Sequence, residues 1–385
     1  MTIRITIVGA GLAGLTTAVA LQQRGYDITV LERRIDTSTG AGISLWPNAL
    51  AALDHLGLGD AVRAAGGQVA AGALRWHDGS WLRRPAAEQF IEALGEPLVV
   101  VLRSVLRDIL TNALRADTVE YGVAATAVTP TAEGVRLKLS DGADRTADAV
   151  IGADGTHSMP ARQLNGPLNQ RYAGYTSWRG IASYVVDPEL AGETLGRGVE
   201  TGHVPLGPGL TYWFATERAP EGRRAPGGEL PYLRTKLARW AEPIPGILAA
   251  TADADVLRDD LYDRTSARHW SHGSIVLIGD AAHPMRPHLG QGGCQGIEDA
   301  AILAAFVDQI PHLPTAFSQF AAYRRPRVTR VVRESAQIGK AVNVRPDFLS
   351  STLSRATALV PEPLLMRHLA SIAGRSAFVL PTAIA

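Results

Sequence analysis

The sequence predicts an α/β protein: a parallel sheet interleaved with helices, a second α+β domain built on an antiparallel sheet inserted into it, and helices at the C-terminal end. Three observations carry this. Residues 3–32 read as one strand–helix–strand unit. Residues 170–265 change to short aromatic strands between Gly- and Pro-rich loops, and helical sequence dominates from Gln295 onward. A chain of 385 residues is long enough to bury two cores.

The elements follow in order. Residues 3–8 form a β-branched run suited to a buried parallel strand. A helix is expected from Leu12 to about Arg24, with Leu15, Ala18, Val19 and Leu21 on its apolar side and Gly25 as its stop. Residues 27–32 are the next strand. Pro47 and Asn48 start a second helix, with Pro in the position it favours. Residues 98–102 read as a buried strand ending at Arg103, followed by a helix over 105–114, and short strands fill 119–151. Residues 172–183 and 211–216 are aromatic strands, a helix lies near 232–240, and residues 274–279 return to the parallel sheet. The tail from Thr357 is broken by Pro361, Pro363 and Pro381 and reads as packed helices. The expected division is residues 1–72, 98–168 and 268–345 in the first domain, 73–97 and 169–267 in the inserted one, and 346–385 as a helical segment.

Composition narrows the function. Lys plus Arg number 38 and Asp plus Glu 37, so the net charge of +1 gives no electrostatic reason to expect nucleic acid or an anionic membrane as partner. The single cysteine, Cys294, leaves no internal disulfide and fits a reducing cytoplasm, the expected location. The N-terminus leads directly into a strand and reads as lacking a signal peptide. No apolar run approaches the roughly 20 residues of a membrane span. A monomer or homodimer is expected.

Gly9-x-Gly11-x-x-Gly14 lies between the first strand and its helix, the context that gives this pattern weight. Gly9 permits the tight turn, Gly11 lets the backbone approach a pyrophosphate at the helix N-terminus, and Gly14 lets helix and strand pack closely. Glu32 ends the second strand, where a carboxylate accepts hydrogen bonds from ribose hydroxyls. The plainer alternative is a tight turn beside a chance acid, and the motif does not by itself separate NAD from FAD. A second segment about 270 residues later separates them. Asp280 ends a strand and can reach another hydroxyl-bearing part of a cofactor. Gly290-Gln291-Gly292-Gly293 then offers backbone N–H groups ahead of a helix starting near Cys294. Negative charge building on a reduced flavin is stabilised there. A helix terminus contributes about 0.3–2 kcal/mol, only tens of millivolts for a two-electron couple, so the loop tunes and positions a flavin that carries the chemistry.

With these motifs the chain resembles the single-component FAD-dependent aromatic hydroxylases, the group A flavoprotein monooxygenases. The resemblance spans nearly the whole chain. It rests on the Gly9–Gly14 turn with Glu32, on Ala153-Asp154-Gly155-Thr156-His157-Ser158, and on Gly279-Asp280 with the Gly290–Gly293 loop. Gly40-Ala41-Gly42-Ile43 leading to Pro47-Asn48-Ala49, Arg103 before a helix, and the Arg171–Gly180 stretch add to it. The resemblance implies a Rossmann-like FAD-binding domain, NAD(P)H as a transient co-substrate, and hydroxylation of a small aromatic or heteroaromatic ring by O2 through a flavin C4a-hydroperoxide. It implies that Ala13, Arg33 and Gly42 lie at the cofactor, that Arg103 contacts its phosphate or ribitol region, that Asp154 lies near the NAD(P)H path, and that Pro287, Gly290, Gly292 and Gly293 line the isoalloxazine. A solvated helix-start arginine and a turn-forming Asp-Gly pair are the plainer readings of Arg103 and Asp154. The family usually has Arg three residues after the Asp-Gly serine. Ala161 stands there, with Arg162 next, so Arg162 is not placed in the site.

The candidate catalytic residues are His288, Tyr212 and Arg179. The resemblance places His288 at the edge of the flavin pocket, as a base or hydrogen-bond partner; the alternative is a histidine bonded to backbone. Tyr212 lies on an aromatic strand expected to form the pocket floor. Arg179 either neutralises a substrate carboxylate or bridges the domains. His203 and Tyr175 rank lower, His283 reads as structural, and Cys294 as a small packing residue. Some urate-oxidising relatives carry an acid where this chain has His288, and an arginine near the place of Glu200, so urate fits poorly. A flavin-dependent oxidase or reductase, or a protein guiding a reactive intermediate, is the alternative function. A metal site is not expected, because no second ligand is suitably spaced from His283.

Overall fold

The computed structural model describes residues 2–35, 41–70, 72–342 and 359–382, together with Thr352 and Arg355. Its principal elements are β1 (Arg4–Val8), α1 (Leu12–Gln22), β2 (Asp27–Glu32), β3 (Gly42–Leu45), α2 (Pro47–His55), β4 (Leu98–Leu102), α3 (Arg103–Asn112), β5 (Ala149–Gly152), β6 (Gln170–Ala182), β7 (Gly192–Gly196), β8 (Val199–Gly207), β9 (Leu210–Glu217), β10 (Leu257–Arg264), β11 (Ile275–Leu277), α4 (Gly292–Gln309), α5 (Leu313–Val342) and α6 (Glu362–Ala373).

A six-stranded sheet runs in the order Ser271–His272, β11, β5, β1, β2, Val119–Tyr121. All its pairings are parallel except the short edge pair of Ser271–His272 with β11. Four of the five β1 residues are buried, as strands covered by helices on both faces require. Residues from both ends of the chain, Ile5 and Leu15 with Ile297 and Phe317, share one core.

The second large sheet has seven strands in the order β10, β6, β9, β8, β7, Ala73–Trp76, Trp81–Arg83. It is antiparallel except where β7 lies parallel to Ala73–Trp76. One face packs Trp178, Trp213 and Ala215 against the helices Glu229–Lys236 and Ile244–Ala249. The other face turns toward β4 and α6, because Tyr212 shares a core with Ala41, Val100 and Met366.

Most elements lie where the sequence places them, with local differences. Residues 98–102 join a separate antiparallel sheet with β3 and Gly67–Val69. The helix expected from 105 starts at Arg103, directly after the strand. The helix expected near 232–240 spans Glu229–Lys236. In the tail, α6 buries Met366, Ile372 and Ala373. Gly40 and most of residues 343–358 lie outside the described residues. Among the described residues no helix is long and apolar enough to cross a membrane, and no group of His, Cys, Asp and Glu could hold a metal ion.

Candidate active site

The glycine turn after β1 is built as its spacing requires. Gly9 has φ 107°, and a Cβ there would fall 2.6 Å from the Ala153 carbonyl oxygen. A Cβ on Gly14 would fall 2.0 Å from the Gly9 oxygen, so α1 can close on β1 only at glycine. Over Gly11 the nearest atom is 4.0 Å away, which leaves the backbone approachable. No side chain caps α1, and its first N–H groups remain available to an anion. Glu32 accepts hydrogen bonds from the Ala10 and Arg34 N–H groups, both at 2.9 Å, tying the end of β2 to the turn. Ala13 faces Gly279 at the far segment, and Arg33 is exposed at the end of β2.

The second segment meets the first across a cleft. Asp280 has an exposed side chain, yet protein surrounds its carboxyl, and burial pushes its pKa above the usual carboxylate range against the charges of His283, Arg103 and Arg264. Exposure combined with dense surroundings marks the wall of a deep concavity. Arg103 is likewise exposed and enclosed, and its pKa is lowered first by burial and then by the Arg179 charge. Asp154 bonds the Met159 N–H at 2.8 Å through one oxygen, while the other is buried without a partner. Its pKa is raised by burial, and Arg162 is near enough to oppose that rise, so the displaced arginine lies on the Asp154 side.

Pro287–Leu289 form a short turn, and Gly290 follows with φ 60°. A Cβ on Gly290 would strike the Trp46 indole nitrogen at 2.8 Å, and one on Gly293 would strike Ile43 at 2.7 Å, whereas Gly292 has only Met285 at 3.7 Å. No side chain caps α4 either. A buried polar network holds this loop from behind. Asn48 Nδ2 donates to Gln291 Oε1 at 3.0 Å and to Glu298 Oε1 at 2.6 Å, and Gln295 Nε2 donates to both acceptors. Arg324 bonds Glu298 and Asp299, each at 2.7 Å, and Arg327 Nη2 also bonds Glu298. Asp299 accepts from the Gly279 N–H at 2.9 Å and pairs with His283 Nε2 at 2.6 Å, which makes His283 structural, as expected. Cys294 is fully buried, and burial pushes its thiol up to about 12, in keeping with packing.

The substrate-side candidates separate. Tyr212 is 9% exposed and lies against Gly42, where a Cβ would fall 2.7 Å from its ring. Arg179 pairs with Asp259 inside the same sheet. His288 has a buried side chain whose Nε2 lies 2.8 Å from the Tyr175 hydroxyl and whose Nδ1 lies 3.4 Å from Glu200. It therefore bonds side chains across to the second sheet, not backbone. His203 faces away, bonded to the Leu190 carbonyl at 2.8 Å. Arg264 and Trp46 were not anticipated. Arg264 donates to the Asp280 and Ala281 carbonyls, while its Nε and Nη1 are buried without partners. The paired acids Glu298-Asp299, midway along an otherwise apolar helix, were the sequence signal for the network behind the loop.

Residues 2–335 match the FAD binding domain family. The chain is 37% identical over 343 residues to aurachin C monooxygenase/isomerase of Stigmatella aurantiaca, covering 87% of this chain and 88% of that protein. It is 36% identical over 388 residues to 3-amino-4-hydroxybenzoate 2-monooxygenase of Streptomyces cremeus, covering 97% and 96%. The chain belongs to the FAD-dependent aromatic hydroxylase family. Among solved structures, Klebsiella pneumoniae HpxO complexed with FAD and uric acid superposes with a TM-score of 0.88 at 27% identity, over 96% of both chains. As a flavoprotein hydroxylase the chain must accommodate FAD, and the cleft fits it. The atoms Asp154 Oδ1, Trp46 Nε1 and Arg264 Nε and Nη1 are buried polar groups without a protein partner, as groups meeting a polar ligand would be. The uncapped termini of α1 and α4 and the open backbone over Gly11 complete a cradle for a dinucleotide at one end and a ring at the other.

Proposed function

We propose that this FAD-dependent monooxygenase hydroxylates a small aromatic or heteroaromatic compound held between the Gly290–Gly293 loop and the inward face of the seven-stranded sheet. The balance is substrate, O2, NAD(P)H and a proton converted to hydroxylated product, water and NAD(P)+. FAD, when bound, accepts the hydride and activates the oxygen. The contact between the two glycine segments, where a Cβ on Gly279 would fall 2.9 Å from Ala13, with Tyr212 packed on Gly42, is the observation that supports this reading.

The residues divide the work. Gly9, Gly11, Ala13, Gly14, Glu32 and Arg33 hold the adenosine and pyrophosphate end. Arg103 and Asp280 hold the ribitol and phosphate region, with Asp154 and Arg162 on the side approached by NAD(P)H. Pro287, Gly290, Gly292 and Gly293 face the ring with N–H groups suited to developing negative charge. Gly42 lets Tyr212 close over the cleft and exclude water. His288 acts through Glu200 and Tyr175 rather than by reaching a substrate atom itself.

The test is reconstitution with FAD followed by NADH or NADPH oxidation with phenolic and heteroaromatic compounds under 18O2. Substrate-stimulated oxidation with one labelled oxygen in the product is expected. Failure to retain FAD, or product without label, would overturn the proposal.

A further inference from the structure

The inward face of the seven-stranded sheet has an acidic end. The pairings Glu193 with Gly202, Glu200 with Thr216, Gly202 with Phe214 and Val204 with Tyr212 place Glu193, Glu200, Phe214 and Tyr212 on one face, since opposed residues share a side. The pairing of Phe214 with Arg179 adds that arginine to the same face. A Cβ on Gly202 would fall 2.1 Å from the Phe214 ring, so the ring lies over the strand between the two acids' positions.

The two carboxyls differ in company. Glu200 is 4% exposed and accepts from the Thr216 hydroxyl at 3.3 Å. His288, beside the Gly290–Gly293 loop, lies 3.4 Å from the same oxygen. Burial raises the Tyr175 pKa and keeps it a phenol, and its hydroxyl shares a hydrogen bond with His288 Nε2 at 2.8 Å, which holds the imidazole beside Glu200. Arg286, held by Asp263, lies 5.7 Å over the Tyr175 ring and fixes the start of this relay. Glu193 has neither hydrogen bond nor ion pair among the described residues. Burial and then the Glu200 charge hold its pKa well above the usual carboxylate range. The residue is half-buried, so its carboxyl keeps some access on this inward face. The cation on this face, Arg179, is occupied by Asp259.

We propose that Glu193 and Glu200 determine substrate specificity, accepting a ring that donates hydrogen bonds through an amino group or ring N–H and rejecting a ring that carries a carboxylate. This rests on the proposed substrate cavity. A substrate carboxylate beside Glu200 would meet a like charge, with Arg179 held by Asp259 and Arg103 assigned to the cofactor phosphate, and like charges in a desolvated site repel. An amino group supplies a donor to the unpartnered Glu193 carboxyl and a further one to Glu200, which Thr216 already serves. His288 and Tyr175 are positioning residues for Glu200.

Ligand titrations of the FAD-loaded protein, read by perturbation of the flavin absorbance, test this with 2-aminophenol, phenol and 3-amino-4-hydroxybenzoate. The first differs from the second by an amino group and from the third by lacking a carboxylate. The dissociation constant of 2-aminophenol should be lower than either of the others by about tenfold or more, the scale of one mispaired buried polar group. Glu200→Gln should shrink the carboxylate penalty to about threefold or less, and Glu193→Gln, which has no hydrogen bond to lose, should reduce the amine preference by a comparable factor. FAD content and circular dichroism confirm that each variant is folded. Tighter binding of 3-amino-4-hydroxybenzoate than of 2-aminophenol, binding ratios unmoved in both variants, or no response to 2-aminophenol would overturn the inference. Hydroxylation of the carboxylate ring would do so while leaving the proposed function standing; absence of any labelled product from any ring would remove both.

Discussion

Asn48 and Glu298 are 250 residues apart in the chain and fully buried, and Asn48 Nδ2 donates to Glu298 Oε1 at 2.6 Å. The bond joins the first turn of α2 to α4, directly behind the loop proposed to face the flavin ring. Arg324 and Arg327 then hold Glu298 from α5. The carboxylate stays ionised despite burial, since the charges of both arginines and the Asn48 bond lower its pKa. Loop geometry is therefore set by a polar network in which Asn48, Gly279 and Gln291 belong to recognisable motifs, while Gln295, Glu298, Asp299, Arg324 and Arg327 do not.

Breaking this network should unseat the cofactor before it unfolds the protein. Asn48→Ala should destabilise by about 1–3 kcal/mol. Glu298→Ala, which strips buried arginines of their partner, should cost about 3–5 kcal/mol. Chemical denaturation measures both. Gel filtration of the Asn48 variant should show loss of FAD from a protein with native circular dichroism.

Glycines within one motif should respond differently. Gly11→Ala meets no atom closer than 4.0 Å and should fold normally, while weakening FAD binding by about tenfold or more through lost backbone approach. Gly14→Ala would place a methyl 2.0 Å from a carbonyl oxygen and should destabilise the fold itself by at least about 1–3 kcal/mol. FAD titration and thermal unfolding separate the two effects.

His203 gives stability a pH dependence. Burial lowers its pKa to about 4, while the unfolded chain titrates near the ordinary 6.5. Between these values the unfolded state binds the extra proton, so stability present at neutral pH is lost as pH falls through this window. The loss by pH 4.5 should be about 2–3 kcal/mol. His203→Gln should flatten the difference between unfolding measured at pH 7.5 and at pH 4.5.

The Cys294 thiol should be silent in the native protein. Its full burial and raised pKa leave neither access nor thiolate. A chromogenic disulfide reagent should release no colour from native enzyme at pH 8, and one equivalent after denaturation, matching the single cysteine.

Local patterns revealed much of this site in advance. The β1–α1–β2 unit, the Gly9 turn and the Gly290–Gly293 loop are legible because each depends on residues close in sequence, where backbone conformation restricts the choice to glycine. Arg264 was not legible. It ends an ordinary strand, and only the fold brings its guanidinium beneath Asp280. Arg179 has the chemistry to meet a substrate carboxylate, but Asp259 on the neighbouring strand engages it, a pairing set by register. His288 was placed by its nearness to the loop, yet its partners Glu200 and Tyr175 come from strands that no local pattern connects to it.

The union of distant segments also orders events in time. The turn at Gly9 and the carboxylate of Glu32 leave the ribosome before α5. The loop proposed to face the ring is anchored only when Arg324 and Arg327 have followed, nearly 300 residues later. At about 5–20 residues per second that interval is roughly a quarter-minute to a minute. A nascent chain can thus present one grip on the nucleotide long before the other exists. Firm cofactor capture should therefore wait for α5, and a chain cut short before it would leave the ribosome with a dinucleotide turn and an unanchored loop.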